Sequence, residues 1–433
     1  MTAVRYRIVL AIAVCFAPLI HAQESAAARI ARWAAPLAES GFLSGILLVD
    51  RPGTDTVRLA FGFADPDRTI SLTSTTPVCI ASITKPMTAV ALMRLVDRGD
   101  LALDAPVSRW LDGFPSGDEI TVADLVTHRA GIPHRVTTPE EERNHLTPGD
   151  IVDRIKQQGL LFPPGSERRY SSAGYTVLAY IMERVTGQSW GAAMDLLLFA
   201  PLGMERTVHP DGRAIPGRAI SFIAGPKGPV AAPDKDYAFL AGAGSLYSTP
   251  DDVARFARAY LDRDFLSEAA WQQFHDLGWG EGDTVTWTGS TNGYACWMDI
   301  DKTTGNVQIF IGNAGTGAAY LLRDALPALL SGDPIDPAPA APEPIGLDAD
   351  RLNGLEGEFG GSASGPVTLR VVRRNGDLLM NDSFVYPVAE DRFFNPTYFS
   401  HATFERDKED RAITIRITAP GLRQPLVFHR VEP

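Results

Sequence analysis

Ser82-Ile83-Thr84-Lys85 sets a hydroxyl and an amine three residues apart at the start of a helical pattern, behind the apolar run Pro77-Val78-Cys79-Ile80-Ala81. Residues three apart on a helix share a face, one turn from each other. A serine hydroxyl is a poor nucleophile until a base takes its proton, and a neighbouring amine is such a base. A lysine near a helix N-terminus meets the positive end of the dipole, which disfavours its charged form. Lysine is scarce: of 40 Lys+Arg only six are lysine, and only Lys85 has a serine three positions before it.

Two further segments offer partners for such a serine. Tyr170-Ser171-Ser172 follows Pro163-Pro164-Gly165 and precedes a helical pattern holding Tyr175. A phenol shuttles a proton between a nucleophile and a leaving group when a nearby cation lowers its pKa. Trp287-Thr288-Gly289-Ser290 starts a strand-rich segment. Its glycine lets a backbone N–H approach a substrate oxygen, as an oxyanion hole requires. Other matches are weaker. Gly187-Gln188-Ser189-Trp190-Gly191 fits an esterase elbow pattern, but that pattern works only at a strand-to-helix turn. Here it joins two helical patterns, with Gly187 as a stop and Ser189 as the next cap. Lys302-Thr303-Thr304-Gly305 lies between two strand patterns and reads as an exposed hairpin loop. His128, His134 and His145 lie near Glu141 and Glu142 without the spacing on one element that ligation needs, so no metal or cofactor is expected. His128 is expected to pack and hydrogen-bond near the site.

The elements that must hold these groups alternate in kind. Residues 26–38 read as an amphipathic helix with Ile30, Trp33 and Leu37 on one face. Residues 44–49 and 57–63 read as paired strands around turn residues 50–55. A helix is expected from Ser82 to about Arg98, stopped by Gly99, with Pro86 tolerated in its first turn. Helical patterns dominate from 101 to 265, among them 174–186 and 251–261. Strands return at 294–300 and 307–311, and a last helix spans about 320–330. This order predicts an α+β domain over residues 23–331. Residues 332–346 are a Pro/Ala-rich linker. Beyond it, Asn375-Gly376 signals a hairpin, and 412–417 and 426–431 alternate as strands. Residues 347–433 therefore read as a separate small all-β domain.

At 433 residues, 45% hydrophobic and 21% charged, the chain reads as globular. The net charge of −12 is spread out and no basic stripe occurs, which excludes nucleic acid as a partner. Arg5 and Arg7, the apolar stretch 8–20 and Ile20-His21-Ala22 form an export signal over residues 1–22, with the mature chain starting at Gln23 in the periplasm or outside the cell. The apolar stretch falls short of the ~20 residues that span a bilayer, so no stable membrane span is expected after cleavage. Cleavage removes Cys15 and leaves Cys79 and Cys296, either two buried thiols or one bridge.

In order and spacing, several segments together resemble the serine β-lactamase and penicillin-binding-protein family, in its class C branch and the related family VIII esterases. They are Ser44-Gly45, Gly62-Phe63-Ala64-Asp65, Ser82-Ile83-Thr84-Lys85, Leu125-Val126-Thr127-His128-Arg129-Ala130-Gly131, Tyr170-Ser171-Ser172, Pro201-Leu202-Gly203-Met204 and Gly244-Ser245-Leu246-Tyr247-Ser248-Thr249, ending near Asn313. The resemblance implies an antiparallel sheet flanked by helices, with a helical subdomain and the site between them. It makes Ser82 the acylated nucleophile and gives its proton to Lys85 and Tyr170, with Lys85 either the base itself or the group that holds Tyr170 as phenolate. The backbone N–H groups of Ser82 and Ser290 become the oxyanion hole, and Ser172, Trp287 and Gly289 contact substrate; a role for Ser172 as helix cap stands beside that one.

Two positions depart from the family pattern. The β-lactamases usually carry Asn where this chain has Ser172, and Lys or His where it has Trp287. A cation there suits a substrate carboxylate, whereas indole supplies apolar area. Some family VIII esterases resemble this chain in carrying Trp there. The expected function is therefore an exported serine hydrolase of small esters, provided no arginine replaces the missing cation. A D-amino-acid peptidase, DD-carboxypeptidase or β-lactamase is the alternative on amide substrates, and a catalytically silent binder is the alternative of another class. Oligomeric state is left open.

Overall fold

The computed structural model describes residues 24–225, 228–362, 366–420 and 422–431; the expected signal, residues 1–22, lies outside them. Five antiparallel strands form the central sheet in the order Val57–Phe61, Gly45–Asp50, Asn306–Gly312, Tyr294–Asp301 and Thr284–Thr291. Successive side chains on a strand point to opposite faces. One face sends Leu47, Val49, Trp297 and Phe310 against Ile30, Ala34 and Leu37 of the helix Ala26–Glu39 and Leu322, Leu326 and Leu329 of the helix Ala318–Ser331. The other sends Ile46, Leu48, Cys296, Met298, Ile309 and Ile311 into a larger core shared with the helical region.

That region comprises, among others, the helices Thr84–Asp97, Pro148–Gln158, Ser172–Thr186, Pro250–Asp262 and Glu268–Asp276. Thr84–Asp97 is buried on all sides from Thr84 to Met93, as suits a helix at the centre of a domain. It begins later than its sequence pattern suggests. Ser82 lies on a short 3₁₀ turn, Ala81–Ile83, whose first residue has φ of 45°. Ile80 N–H is tied to the Leu246 carbonyl at 2.9 Å, so the chain must turn sharply before the helix can start. Ser172–Thr186 ends at Gly187 with φ of 67°, and Ser189 caps the next helix by accepting the Ala192 N–H. The elbow-like motif is thus a helix stop and a cap. Cys79 and Cys296 are both free and buried. Cys296 Sγ donates to the Cys79 carbonyl at 3.3 Å, and burial pushes the Cys79 thiol up to about 12. They form no bridge.

Eight strands from Gly357–Ser362 to Leu426–Arg430 form a closed antiparallel barrel, each beside the next and the last beside the first. Asn375 and Gly376 both have positive φ, at 55° and 89°, as the Asn-Gly hairpin requires. The interior is packed with Phe359, Val371, Phe393, Phe404, Ile415 and Phe428. The barrel is less separate than its sequence pattern implies. Tyr386, Phe394 and Phe399 join the same core as the helices Ala26–Glu39 and Ala318–Ser331, with Phe42 6.5 Å from Phe394 and 6.3 Å from Phe399 between ring centroids. Residues 332–346 are fastened on the way: Trp33 Nε1 donates to the Asp336 carbonyl and Tyr386 Oη to the Pro342 carbonyl, at 2.9 and 3.0 Å.

Candidate active site

The 3₁₀ turn aims Ser82 at two partners. Its Oγ shares a hydrogen bond of 2.8 Å with Tyr170 Oη and lies 3.3 Å from Lys85 Nζ. Lys85 is buried to 2% exposure, and its Nζ also donates to Ser172 Oγ at 3.3 Å and to the Ala243 carbonyl at 2.8 Å. Three acceptors therefore face the three donors of an ammonium. No described carboxylate pairs with it, and burial brings its pKa down to about 7. A neutral amine keeps two donors and gains a lone pair, which can point at the Ser82 hydroxyl. Tyr170 stands at the mouth with 46% of its surface exposed. Burial of the rest holds its phenol above the usual value, against the opposing hydrogen bonds of Ser82 and Ser172. Of the two roles left open for Lys85, this geometry favours the base, with Tyr170 a neutral phenol.

Tyr170 is held by a pair of imidazoles. The His128 ring packs 4.6 Å from the Tyr170 ring and 5.2 Å from Tyr175, and the His134 ring lies 5.4 Å from Tyr170. His128 Nδ1 accepts the Ser171 N–H at 3.2 Å and His134 Nδ1 the Ser172 N–H at 3.3 Å. The first N–H groups of a helix have no partner within it, so the two rings satisfy donors at the start of Ser172–Thr186. Acceptance through Nδ1 requires neutral rings, and burial lowers His128 to about 3. Among the described residues no group of His, Cys, Asp and Glu is arranged to hold a metal ion. The cap of that helix is Ser171, whose Oγ accepts the Gly174 N–H at 2.9 Å. Ser172 thus gives its hydroxyl to Lys85 and is not the cap.

On the opposite wall, the edge strand Thr284–Thr291 runs against the Ser82 turn. A Cβ on Gly289 would stand 2.3 Å from the Ile80 carbonyl oxygen and 3.0 Å from Ser82 N, so only glycine permits this approach. It places Ser290, the next residue on the strand, beside the nucleophile turn. Trp287 lies two residues before Gly289 on the same strand face, 8% exposed, with ring contacts to Tyr260 at 5.2 Å and Trp279 at 6.2 Å. It lines a cavity of about 320 Å³ together with Tyr170, His128, Trp279 and Arg168.

The sequence of this chain fits the family model "Beta-lactamase" over residues 30–326. The chain belongs to the beta-lactamase family. Among its relatives, the esterase EstB of Burkholderia gladioli is 34% identical over 262 residues, covering 52% of this chain and 67% of that protein. Penicillin-binding protein 4* of Bacillus subtilis is 28% identical over 268 residues, covering 58% of this chain and 59% of that protein. The chain thus spans three fifths to two thirds of these relatives' length. The crystal structure of SurE shares the fold, with a TM-score of 0.61 at 23% identity over 94% of this chain and 99% of that one. This overlap takes in the barrel as well as the sheet and helices.

Against the family pattern, Ser82, Lys85, Tyr170 and Ser172 come together as a hydrogen-bonded set, Gly289 lies against the Ser82 turn, and Trp287 lines the cavity beside Tyr170. Sequence reasoning missed the Ala243 carbonyl, Trp279 and Arg168, and weighed His134 only as a metal ligand. Ala243 had a signal in its flanking glycines: a Cβ on Gly242 would meet the Tyr175 carbonyl oxygen at 2.3 Å, and this close approach brings the carbonyl to Lys85. Arg168 lines the same cavity as Trp287 and supplies a cation there, so the condition placed on the ester reading, that no arginine replace the missing charge, does not hold at this wall.

Proposed function

We propose that the protein is an exported carboxylesterase that works through an acyl-enzyme on Ser82. The observation that carries this reading is a Ser82 hydroxyl held between a buried amine and a phenol, beside a wall where Trp287 offers aromatic area. The esterase among the relatives supports it. In the first half-reaction neutral Lys85 takes the Ser82 proton as Oγ attacks the ester carbonyl. The N–H groups of Ser82 and Ser290 hold the oxyanion. As the tetrahedral adduct collapses, Tyr170 gives its proton to the departing alkoxide, and the proton on Lys85 returns to the phenoxide by way of the Ser172 hydroxyl. In the second half, water replaces the alcohol, gives a proton to the same groups and releases the acid. The deciding experiment is a panel of short p-nitrophenyl esters, nitrocefin and D-Ala-D-Ala peptides, run on the wild type and Ser82→Ala. Ester turnover lost in Ser82→Ala is the expected result. A higher kcat/KM on nitrocefin or the peptide than on any ester replaces this reading with the amide one.

A further inference from the structure

A buried carboxylate that the chemistry does not use lies on the loop after His134. Glu142 is fully buried, and its Oε2 accepts from Lys235 Nζ at 2.5 Å. Its Oε1 accepts from Thr137 Oγ1 at 3.0 Å, with Arg135 Nη1 3.7 Å away. Its main-chain carbonyl accepts the Asp236 N–H at 3.0 Å, so side chain and backbone join the same two segments. The adjacent charges are paired elsewhere, Glu141 with Arg154 at 2.9 Å and Asp236 with His145 at 3.0 Å. Both joined segments end on the surroundings of Lys85. On one side, the Pro133 carbonyl accepts Ser171 Oγ at 2.9 Å, and His134 accepts the Ser172 and Ala173 N–H groups through Nδ1 and its carbonyl, each at 3.3 Å. This loop therefore grips the start of the helix that offers Ser172 Oγ to Lys85. On the other side, the chain runs from Lys235 through the turn Tyr237–Leu240 to Ala243, whose carbonyl accepts from Lys85 Nζ at 2.8 Å. Lys85, Ser172, His134, Glu142, Lys235 and Ala243 thus close a ring. The ionisable groups that face Lys85 inside it are Tyr170 and Tyr175, with rings 4.7 and 5.6 Å from Nζ, and the imidazoles of His128 and His134.

We propose that Glu142 is a positioning residue for Lys85: its bond to Lys235 sets the spacing between the loop that grips the Ser172 helix start and the segment that ends at the Ala243 carbonyl. The proposal rests on the acyl-enzyme reading, in which Lys85 is the base. Two acceptors of the amine, Ser172 Oγ and the Ala243 carbonyl, come from opposite sides of this joint. When they part, the amine loses its fixed direction toward Ser82, and water that enters favours its charged form. A buried ion pair adds little to stability, because desolvation of both charges offsets their attraction. What this one supplies is a fixed distance between two loops.

The deciding variant is Glu142→Gln/Lys235→Met in the full chain, which keeps both shapes, removes the joint and strands no charge. Its melting temperature should stay close to that of the wild type. Turnover of a short p-nitrophenyl ester should fall about ten-fold, in kcat and not in KM. The acid limb of its pH–rate profile should move up from about 7 toward the ordinary lysine value. Lys235→Arg retains the pair and should retain most of kcat. Glu142→Asp retains the charge with a shorter reach, and should move kcat and the acid limb the same way by less. Unchanged kcat and acid limb in the double variant overturn the proposal and leave the pair a purely structural contact. A second measurement needs no substrate. The chain has six lysines, so with lysine labelled at Cε for NMR the Lys85 signal is the one missing from Lys85→Met. Its titration midpoint should lie higher in the double variant and in Glu142→Asp than in the wild type; equal midpoints overturn the proposal. Failure of the wild type to turn over esters marks a failure of the acyl-enzyme reading, and the lysine titration then decides Glu142 by itself.

Discussion

Lys85 Nζ stands 3.3 Å from Ser82 Oγ, in surroundings that offer the amine hydroxyls, a carbonyl and the rings of Tyr170 and Tyr175 but, among the described residues, no carboxylate. Burial alone holds its pKa at about 7. A base must be neutral to act, so kcat/KM for a neutral ester should rise with pH through about 7 and then level off. Tyr170 sits above its usual value, so its ionisation should not cut the plateau in the ordinary working range. A pH–rate profile measures this, and an acid limb centred near the ordinary lysine value removes Lys85 as the base.

The same shift has a sign in stability. The folded pKa of Lys85 is about 7 against 10.5 for the free side chain. Between those values the unfolded chain binds more protons, so this residue's contribution to stability improves as pH rises across the window. Below it, the folded state bears the full cost of an enclosed ammonium. Lys85→Met should abolish activity yet stabilise the fold at acidic pH by roughly 2 kcal/mol or more, the gain shrinking as pH climbs toward the lysine value. Thermal melts at several pH values check it; a gain that grows with pH contradicts it.

His128 has φ of 63°, a conformation few side chains adopt readily, and its Nδ1 accepts the Ser171 N–H. His128→Ala leaves a buried donor unpaired in a strained backbone, and should cost about 2–3 kcal/mol together with a fall in kcat as Tyr170 loosens. Asn tolerates the left-handed region and its carbonyl can accept the same N–H. His128→Asn should therefore recover most of the stability and part of kcat. Denaturant melts and kinetics on the pair decide it: equal losses in both variants assign the ring to packing alone.

Gly289→Ala sets a methyl 2.3 Å from the Ile80 carbonyl oxygen. The edge strand must retreat from the Ser82 turn, carrying the Ser290 N–H with it. Turnover should fall on the order of 100-fold or more, as loss of an oxyanion donor does. Fluorophosphonate labelling of Ser82 should slow in parallel, and an unchanged labelling rate shows that this strand does not serve the nucleophile.

Much of this was legible in the linear chain. The strands at residues 45–50, 294–301 and 306–312 follow their apolar runs because both faces of the sheet are covered there, while the edge strand 57–61 alternates because one of its faces is exposed. Ser82, Lys85 and Tyr170 stood out by type and spacing. The contacts that tune them did not. His134 reaches the Ser172 N–H across a loop, and no local pattern relates the two. The partner of Ser172 could not be read either, since adjacent serines compete for one cap and only the fold shows that Ser171 takes it. Trp287 lines a cavity while packed into an aromatic cluster, so its placement depends on Phe256 and Tyr260 of the helix Pro250–Asp262 and on the loop bearing Trp279. The seam between barrel and main domain was hidden as well: Phe394 on a barrel strand and Phe399 in the turn after it pack with the main-domain helices, a pairing of distant segments that no local pattern records.

Asn306–Gly312 lies at the middle of the sheet and is the last of its strands in the chain, and its pairing with Gly45–Asp50 is the ladder that joins two locally built pieces, the hairpin 45–61 and the meander 284–312. Gly45 meets Gly312 only after the whole helical region has been made. A chain synthesised from its N-terminus must therefore carry two unpaired apolar edges, Ile46 to Val49 and Val307 to Ile311, until that single ladder zips. Such a high contact order slows folding and leaves sticky intermediates in the interval. Substitutions that weaken this ladder should appear first as aggregation during refolding, before any loss in the activity of molecules that have already closed.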